Sequence, residues 1–356
     1  MAQDLTENAR ARSTSELALP PGAGVEAPDT GILERAVAGY VEWWRGLSVF
    51  QKTFPAASVA VYWLSLKALG GFRPDHAFVG VLALSLSYGG RQARVFLGFL
   101  LPLILTGIVY DSQRFYSDYL RAQVRVSEPY LFDKTFFGIP TAAGTLTPNE
   151  WWQLHAHPVL DFVTGFFYLT FVAIFVLIAA YFRFWHTRKS RSENSSIALR
   201  ACNRSLRSRV PMWAFFWLNV LGYTTYYWYP AAPPWYVAMH GLGPAKMDVA
   251  ANAAGCLRFD ALLGTHFFTG MYGRSADVFG AIPSLHVAYP LLAVLFAFEF
   301  GAARIFSIFF FLMMCFSAVY LNHHYVLDIL WGSAYTVLVY VIFKRVGTGS
   351  AGSRLR

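Results

Sequence analysis

Two short stretches place chemistry-bearing side chains at the ends of apolar runs. "NHHYVLD", residues 322–328, follows an apolar run that stops at Leu321 and precedes another that starts at Ile329. His324 and Asp328 are four apart and share one helical face, where the carboxylate can accept from one imidazole nitrogen and leave the other as nucleophile or base. "PSLH", residues 283–286, opens a second apolar run. Pro283 and Ser284 make a helix start whose free N–H groups and positive dipole end suit a phosphate, with His286 projecting into the same anion site. Each stretch alone has an ordinary explanation, a hydrogen bond at a helix end or a cap beside an interfacial histidine. Both on one face, 38 residues apart, favour phosphoryl transfer. His323 would point about 100° away from its neighbour on a helix, toward a headgroup or loop. Asn322 is expected to cap the last helix.

The elements that must hold these residues are membrane helices. Hydrophobic residues make up 56% of the chain, aromatic residues 18% and charged residues only 14%, far from the quarter-charged composition of soluble domains. A bilayer core needs roughly 20 apolar residues per helix. Eight stretches are candidates: 54–72, 75–90, 95–111, 158–182, 210–229, 284–301, 303–321 and 325–343. Lys67 weakens the first and the second is short, so the fold class is an all-α polytopic membrane bundle of about six to eight spans. The three cysteines lie far apart, without the spacing of a disulfide framework or zinc site.

Charge orients the bundle. Residues 183–209 hold eight Lys and Arg, and such loops stay in the cytoplasm. Alternating outward from that loop puts both termini inside and gathers residues 112–157, 230–283 and the 322–324 joint on the extracytoplasmic face, periplasmic in a bacterium or Golgi-lumenal in a eukaryote. Parallel helices starting near His286 and His324, joined through an antiparallel one, bring the two imidazoles to one cleft. Topology and anionic headgroups account for the net charge of +9 without nucleic acid. The expected organisation is a cytoplasmic, largely disordered tail at 1–50 with no signal-peptide core, a membrane-embedded catalytic domain at 51–345 (core 158–345, active-site loop 230–283), and a disordered tail at 346–356.

"PSLH" with the later "HHYVLD" resembles the second and third signatures of the type 2 phosphatidic acid phosphatase superfamily, Pro-Ser-Gly-His and His-x-x-x-Asp. Leu in place of Gly, with "PPWY", "GCLRFD" and "FGAIPSLH" in this order, resembles its inositol phosphorylceramide synthase branch, the fungal aureobasidin A targets and their bacterial relatives; "YDSQR" and "HPVLDF" fit that branch too. The resemblance covers about residues 95–345 and implies the superfamily's helical core. The first signature, Lys with Arg-Pro seven residues on, is absent from the 230–283 loop, since Ala253 stands seven after Lys246, and Ala318 occupies the place of the third signature's Arg. Phosphate ligation is therefore open, with Arg258 in "LRFD" the first choice and Lys246 and Arg274 the weaker ones.

The resemblance implies that His324, oriented by Asp328, attacks the phosphorus of a phospholipid and forms a phosphohistidine, while His286 protonates the departing diacylglycerol and then activates a lipid alcohol such as ceramide. Water as acceptor would make the protein a lipid or polyprenyl phosphate phosphatase using the same histidines. No cofactor or metal is called for. Phosphoinositol from phosphatidylinositol is the expected headgroup, and the sequence is silent on oligomers or a partner subunit. Trp235 and Tyr236 are candidates for stacking on a sugar or cyclitol ring, or plain interfacial anchors. His155, His157 and Asp161 fit helix-start packing or headgroup contact, and Arg114, Arg121 and Arg125 suggest an interfacial amphipathic helix. A transporter fits poorly, because no pair of broken helices marks a midplane site.

Overall fold

The computed structural model describes residues 30–186, 208–275 and 277–352. The polar tail up to residue 29, most of the basic loop that orients the chain (187–207) and the last residues 353–356 lie outside them. Every one of the eight apolar stretches forms a helix. The chain falls into two compact units, residues 1–94 and 95–356.

In the first unit, α1 (Thr30–Arg45) precedes α2 (Val49–Ala68) and α3 (Pro74–Tyr88). A 16-residue helix thus stands inside the stretch expected to be largely disordered. Its periodicity explains it, because Leu33, Val37, Tyr40 and Trp44 share one face while Glu34, Glu42 and Arg45 take the other. A capping box starts α2, with Ser48 Oγ accepting from the Gln51 N–H and Gln51 Oε1 from the Ser48 N–H. Trp63 Nε1 of α2 donates to the His76 carbonyl of α3 at 3.0 Å. With 15 residues, α3 is about 22 Å long, short of a bilayer core.

The chain passes from the first unit to the second within α4 (Arg91–Ser112), and a 3-10 turn at Gln113–Phe115 leads to the single turn α5 (Ser117–Leu120) and to α6 (Ser127–Phe136). A hairpin of β1 (Ile139–Thr141) and β2 (Gly144–Leu146), with Ile139 opposite Leu146, leads into α7 (Pro148–Leu154). Next come α8 (Pro158–Ala180), ending in a π-helical turn through His186, and α9 (Val210–Trp228). Three short helices follow, α10 (Pro234–His240), α11 (Cys256–Leu263) and α12 (Phe267–Tyr272), before α13 (Leu285–Phe300), α14 (Arg304–Tyr320) and α15 (Val326–Gly352). The helix of α15 continues seven residues past the expected boundary at 345. Among the described residues three segments are long and apolar enough to cross a membrane, Arg91–Phe115, Pro158–His186 and Val326–Arg345, whereas α13 and α14 are apolar but shorter.

Packed by α8, α9, α14 and α15, α13 is buried on nearly all sides, as its largely apolar sequence requires. Close approach depends on small residues. A Cβ at Gly332 of α15 would collide with the Ser284 carbonyl oxygen, so glycine there lets the starts of α13 and α15 lie backbone to backbone.

Residues 111–126 do not form one amphipathic helix. The Ala122 and Arg125 N–H groups donate to the carbonyls of Tyr227 and Pro230, which draws the chain out of helical pairing. Arg121 is buried between Asp118 and Asp277, Arg125 pairs with Glu128, and Arg114 pairs with Asp111. All three arginines are engaged within the protein.

Candidate active site

The joint after α14 folds back on itself. The N–H groups of His323 and His324 both donate to the Ala318 carbonyl, at 3.2 and 3.0 Å. Asn322 takes the left-handed conformation, φ 62°, which asparagine tolerates better than most residues. It is the turn residue and not the expected cap, and its carbonyl accepts the Trp235 N–H at 3.1 Å. Two carboxylates cap α15 instead: Asp328 Oδ2 accepts from the Tyr325 N–H at 2.9 Å, and Asp133 of α6 accepts from Val326 and Leu327 at 2.7 and 3.0 Å. Three otherwise orphaned donors are thereby satisfied.

This clamp sets the geometry of the histidines. His324 Nδ1 lies 3.0 Å from the Ala281 carbonyl oxygen and 3.3 Å from Asp328 Oδ2. Two oxygen acceptors at Nδ1 assign the proton there and leave the lone pair on Nε2. That Nε2 is 3.0 Å from His286 Nδ1, so the hydrogen between the rings belongs to His286. His324 and Asp328 are buried, while His286 is half-buried. The structure thus brings both predicted histidines and the aspartate into one hydrogen-bonded line.

Ser284 joins them. Its N–H donates to the Asp328 carbonyl at 2.9 Å, tying the two motifs through the backbone, and its buried Oγ has no partner among the described residues. The next three N–H groups, those of Leu285, His286 and Val287, take no backbone acceptor among the described residues. A set of inward donors beside the lone pair of a buried imidazole is suited to holding and attacking a phosphoryl group.

The other predicted residues lie elsewhere. His323 is buried, with Nε2 3.0 Å from the Ala253 carbonyl oxygen and Nδ1 3.3 Å from the Tyr272 hydroxyl, so it faces protein. Burial, with a smaller contribution from His324, holds its pKa at about 3, and the ring is neutral. Arg258 is spent on Asp161 (2.6 Å), Gln153 (2.9 Å) and the Tyr320 carbonyl (3.4 Å). Lys246 and Arg274 are exposed. Trp235 and Tyr236 are buried in a small core with Val126 and Phe279, since the prolines before them start α10 and turn it inward. Among the described residues no contact ties these five to the histidine pair. His155 stacks on Trp151, and His157 caps α8 by accepting from the Val159 N–H.

Sequence reasoning missed the residues that brace the joint. Asn149 Nδ2 donates to the carbonyls of Val319 and His324, both at 3.0 Å, and Gln153 Nε2 donates to that of Tyr320. The capping box of α7, Thr147 with Glu150, was legible, but nothing local marks Asn149 as a brace. Asp133 is equally silent, lying 193 residues from Val326. Burial raises its carboxyl to about 7, against the lowering effect of the two N–H donors. Among the described residues no group of three His, Cys, Asp or Glu side chains is gathered as a metal ion would need.

Known proteins are similar to this chain in sequence. A family model described as the PAP2 superfamily matches residues 194–342. The chain is 32% identical over 290 residues to a phosphoinositol dihydroceramide synthase of Bacteroides thetaiotaomicron, covering 80% of this chain and 89% of that protein. It is 35% identical over 140 residues to the inositol phosphorylceramide synthase catalytic subunit aur1 of Schizosaccharomyces pombe, 38% of this chain and 33% of that one. The corresponding subunit AUR1 of Saccharomyces cerevisiae is 37% identical over 129 residues, 36% of this chain and 31% of that one. The match therefore spans about a third of the length of the fungal relatives, and nearly all of the bacterial one. No solved structure matches the chain significantly.

Proposed function

The chain belongs to the PAP2 superfamily, in its inositol phosphorylceramide synthase-like branch, and we propose that it transfers a phosphoinositol headgroup from phosphatidylinositol to a ceramide-type lipid alcohol, through a phosphohistidine at His324. The observation that carries this reading is the line from Asp328 through His324 to His286, with the lone pair of His324 Nε2 aimed at the gap between the rings. The enzyme is a membrane protein, and the reaction is set on its extracytoplasmic face.

A phosphodiester entering between the rings displaces the His286 hydrogen from Nε2. His324 Nε2 then forms a bond to phosphorus as the bond to the diacylglycerol oxygen breaks, and protonated His286 supplies that oxygen's proton. Asp328 and the Ala281 carbonyl keep the Nδ1 proton in place and stabilise the positive charge on the ring. The neutral His286 then takes the proton of the acceptor hydroxyl, whose oxygen attacks phosphorus and releases His324. The charge on the phosphoryl oxygens falls to the Ser284 hydroxyl and the N–H groups of Leu285, His286 and Val287. This replaces the cationic signatures missing from the sequence, and Arg258 braces the joint from outside.

The test is turnover of phosphatidylinositol with a fluorescent ceramide by the purified protein in detergent with EDTA, read by mass spectrometry. A ceramide product carrying phosphoinositol is expected, lost by about 10⁴-fold or more in His324→Ala. Release of water-soluble phosphate without transfer would assign the same histidines to a phosphatase instead.

A further inference from the structure

The paired histidines of "NHHYVLD" divide their labour. Four rings near His286 lie almost parallel in sequence of contact: His286 on Tyr168 (centroids 4.2 Å, 14°), Tyr168 on His323 (5.2 Å, 16°) and His323 on Tyr272 (4.8 Å, 13°). Phe171, one turn along α8 from Tyr168, packs against His286 as well, at 4.6 Å. The run is anchored at the His323 end, where the Nε2–H bond to the Ala253 carbonyl and the Tyr272 hydroxyl at Nδ1 fix the ring in plane and rotation. Tyr168 and His323 are buried, so neither ring is free to swing. His286, by contrast, has one side-chain hydrogen bond among the described residues, to His324, and that bond must open when the phosphodiester enters. Once it opens, the stack is what keeps the imidazole in place.

We propose that His323 and Tyr168 are positioning residues for His286, with His323 acting through the Tyr168 ring to hold the general acid in its plane after it parts from His324. This rests on the reading of His286 as the proton donor to the leaving diacylglycerol. It assigns the first histidine of the pair to the general acid and the second to phosphorus, and removes His323 from the headgroup.

Leaving-group dependence tests this. A nitrophenyl ester of inositol phosphate has an acidic leaving group and needs little proton donation, whereas phosphatidylinositol needs it fully. The ratio of kcat for the two donors, taken on one preparation of full-length protein in detergent, does not depend on the fraction folded. His323→Ala is expected to lower kcat for phosphatidylinositol by about 10- to 100-fold with KM unchanged, to change the nitrophenyl rate far less, and to be partly rescued in His323→Phe, which restores a flat ring. Tyr168→Leu should shift the same ratio further than Tyr168→Phe. Equal losses on both donors, or a rise confined to KM, would overturn the proposal in favour of a headgroup contact or a purely structural role. His286→Ala is the internal control: if it also loses both activities equally, the general-acid reading itself falls, whereas a shifted ratio there and a wild-type ratio in His323→Ala removes only the stack.

Discussion

The two turns that flank α14 connect similar apolar helices with similarly few residues, yet they are built differently. At its N-terminal end, Gly301 and Ala303 take left-handed conformations, φ 73° and 59°, and the Ala302 N–H donates to the Ala297 carbonyl. At its C-terminal end, one left-handed residue, Asn322, also suffices to reverse the chain. There, however, α6, α7, α10, α15 and the segments before α11 and α13 all send hydrogen bonds into the joint. Turning a chain requires a backbone conformation. Holding two imidazoles and a carboxylate at hydrogen-bond distance requires the rest of the fold, because each buried polar group needs its partner and each partner fixes a direction.

Substitutions can break that contrast, the most severe being at the joint's own carboxylate. Asp328→Asn keeps the shape but presents an amide to His324 Nδ1, and is expected to lower turnover by a factor on the order of 10² to 10⁴ through tautomer loss and lost charge stabilisation; steady-state kinetics on phosphatidylinositol measure it. Asn149→Ala removes two hydrogen bonds at once and leaves the buried carbonyls of Val319 and His324 without that donor. A loss of about 1–3 kcal/mol is expected for such a change, read as a lowered melting temperature in detergent.

Asp133 gives a pH signature. Its folded-state pKa of about 7 exceeds the ordinary 3.8, chiefly through burial, so the folded protein holds a proton that the unfolded chain has released. That contribution is complete below the unfolded value and is lost as pH rises through about 7. Asp133→Asn lacks this slope and meets one of the two N–H groups with a donor. Its melting-temperature deficit should therefore be greatest near pH 5 and shrink toward about pH 8. A constant deficit would show that the carboxyl does not titrate in this range.

The other turn should hardly respond. Ala303→Gly relieves a left-handed alanine and adds freedom to the unfolded chain, two opposed effects of about 1 kcal/mol each. Wild-type turnover and an almost unchanged melting temperature are expected. A large loss of activity would mean that the two turns are coupled through α14.

Much of this was legible in the residues themselves. The eight helices follow from apolar runs, and the spacing of His324 and Asp328 pointed to their pairing, although His324 stands two residues before α15 and meets the carboxylate at the helix start and not along a helical face. The helix at 30–45 was not read from the sequence, because its amphipathic period lies within a polar stretch expected to be largely disordered. The broken segment at 111–126 was not, because its periodicity lost to backbone bonds with Tyr227 and Pro230 that no local pattern announces.

By itself, then, the sequence determined the helices and the meeting of the two motifs. Only the tertiary structure decided what each polar residue nearby was for. Arg258 looked like a phosphate ligand until Asp161, 97 residues away, claimed it, and His323 looked like a headgroup contact until Ala253 and Tyr272 enclosed it. The physical reason is that spacing fixes where a side chain starts, whereas its role depends on which donors, acceptors and rings lie within a few ångströms of its tip, and those come from distant parts of the chain.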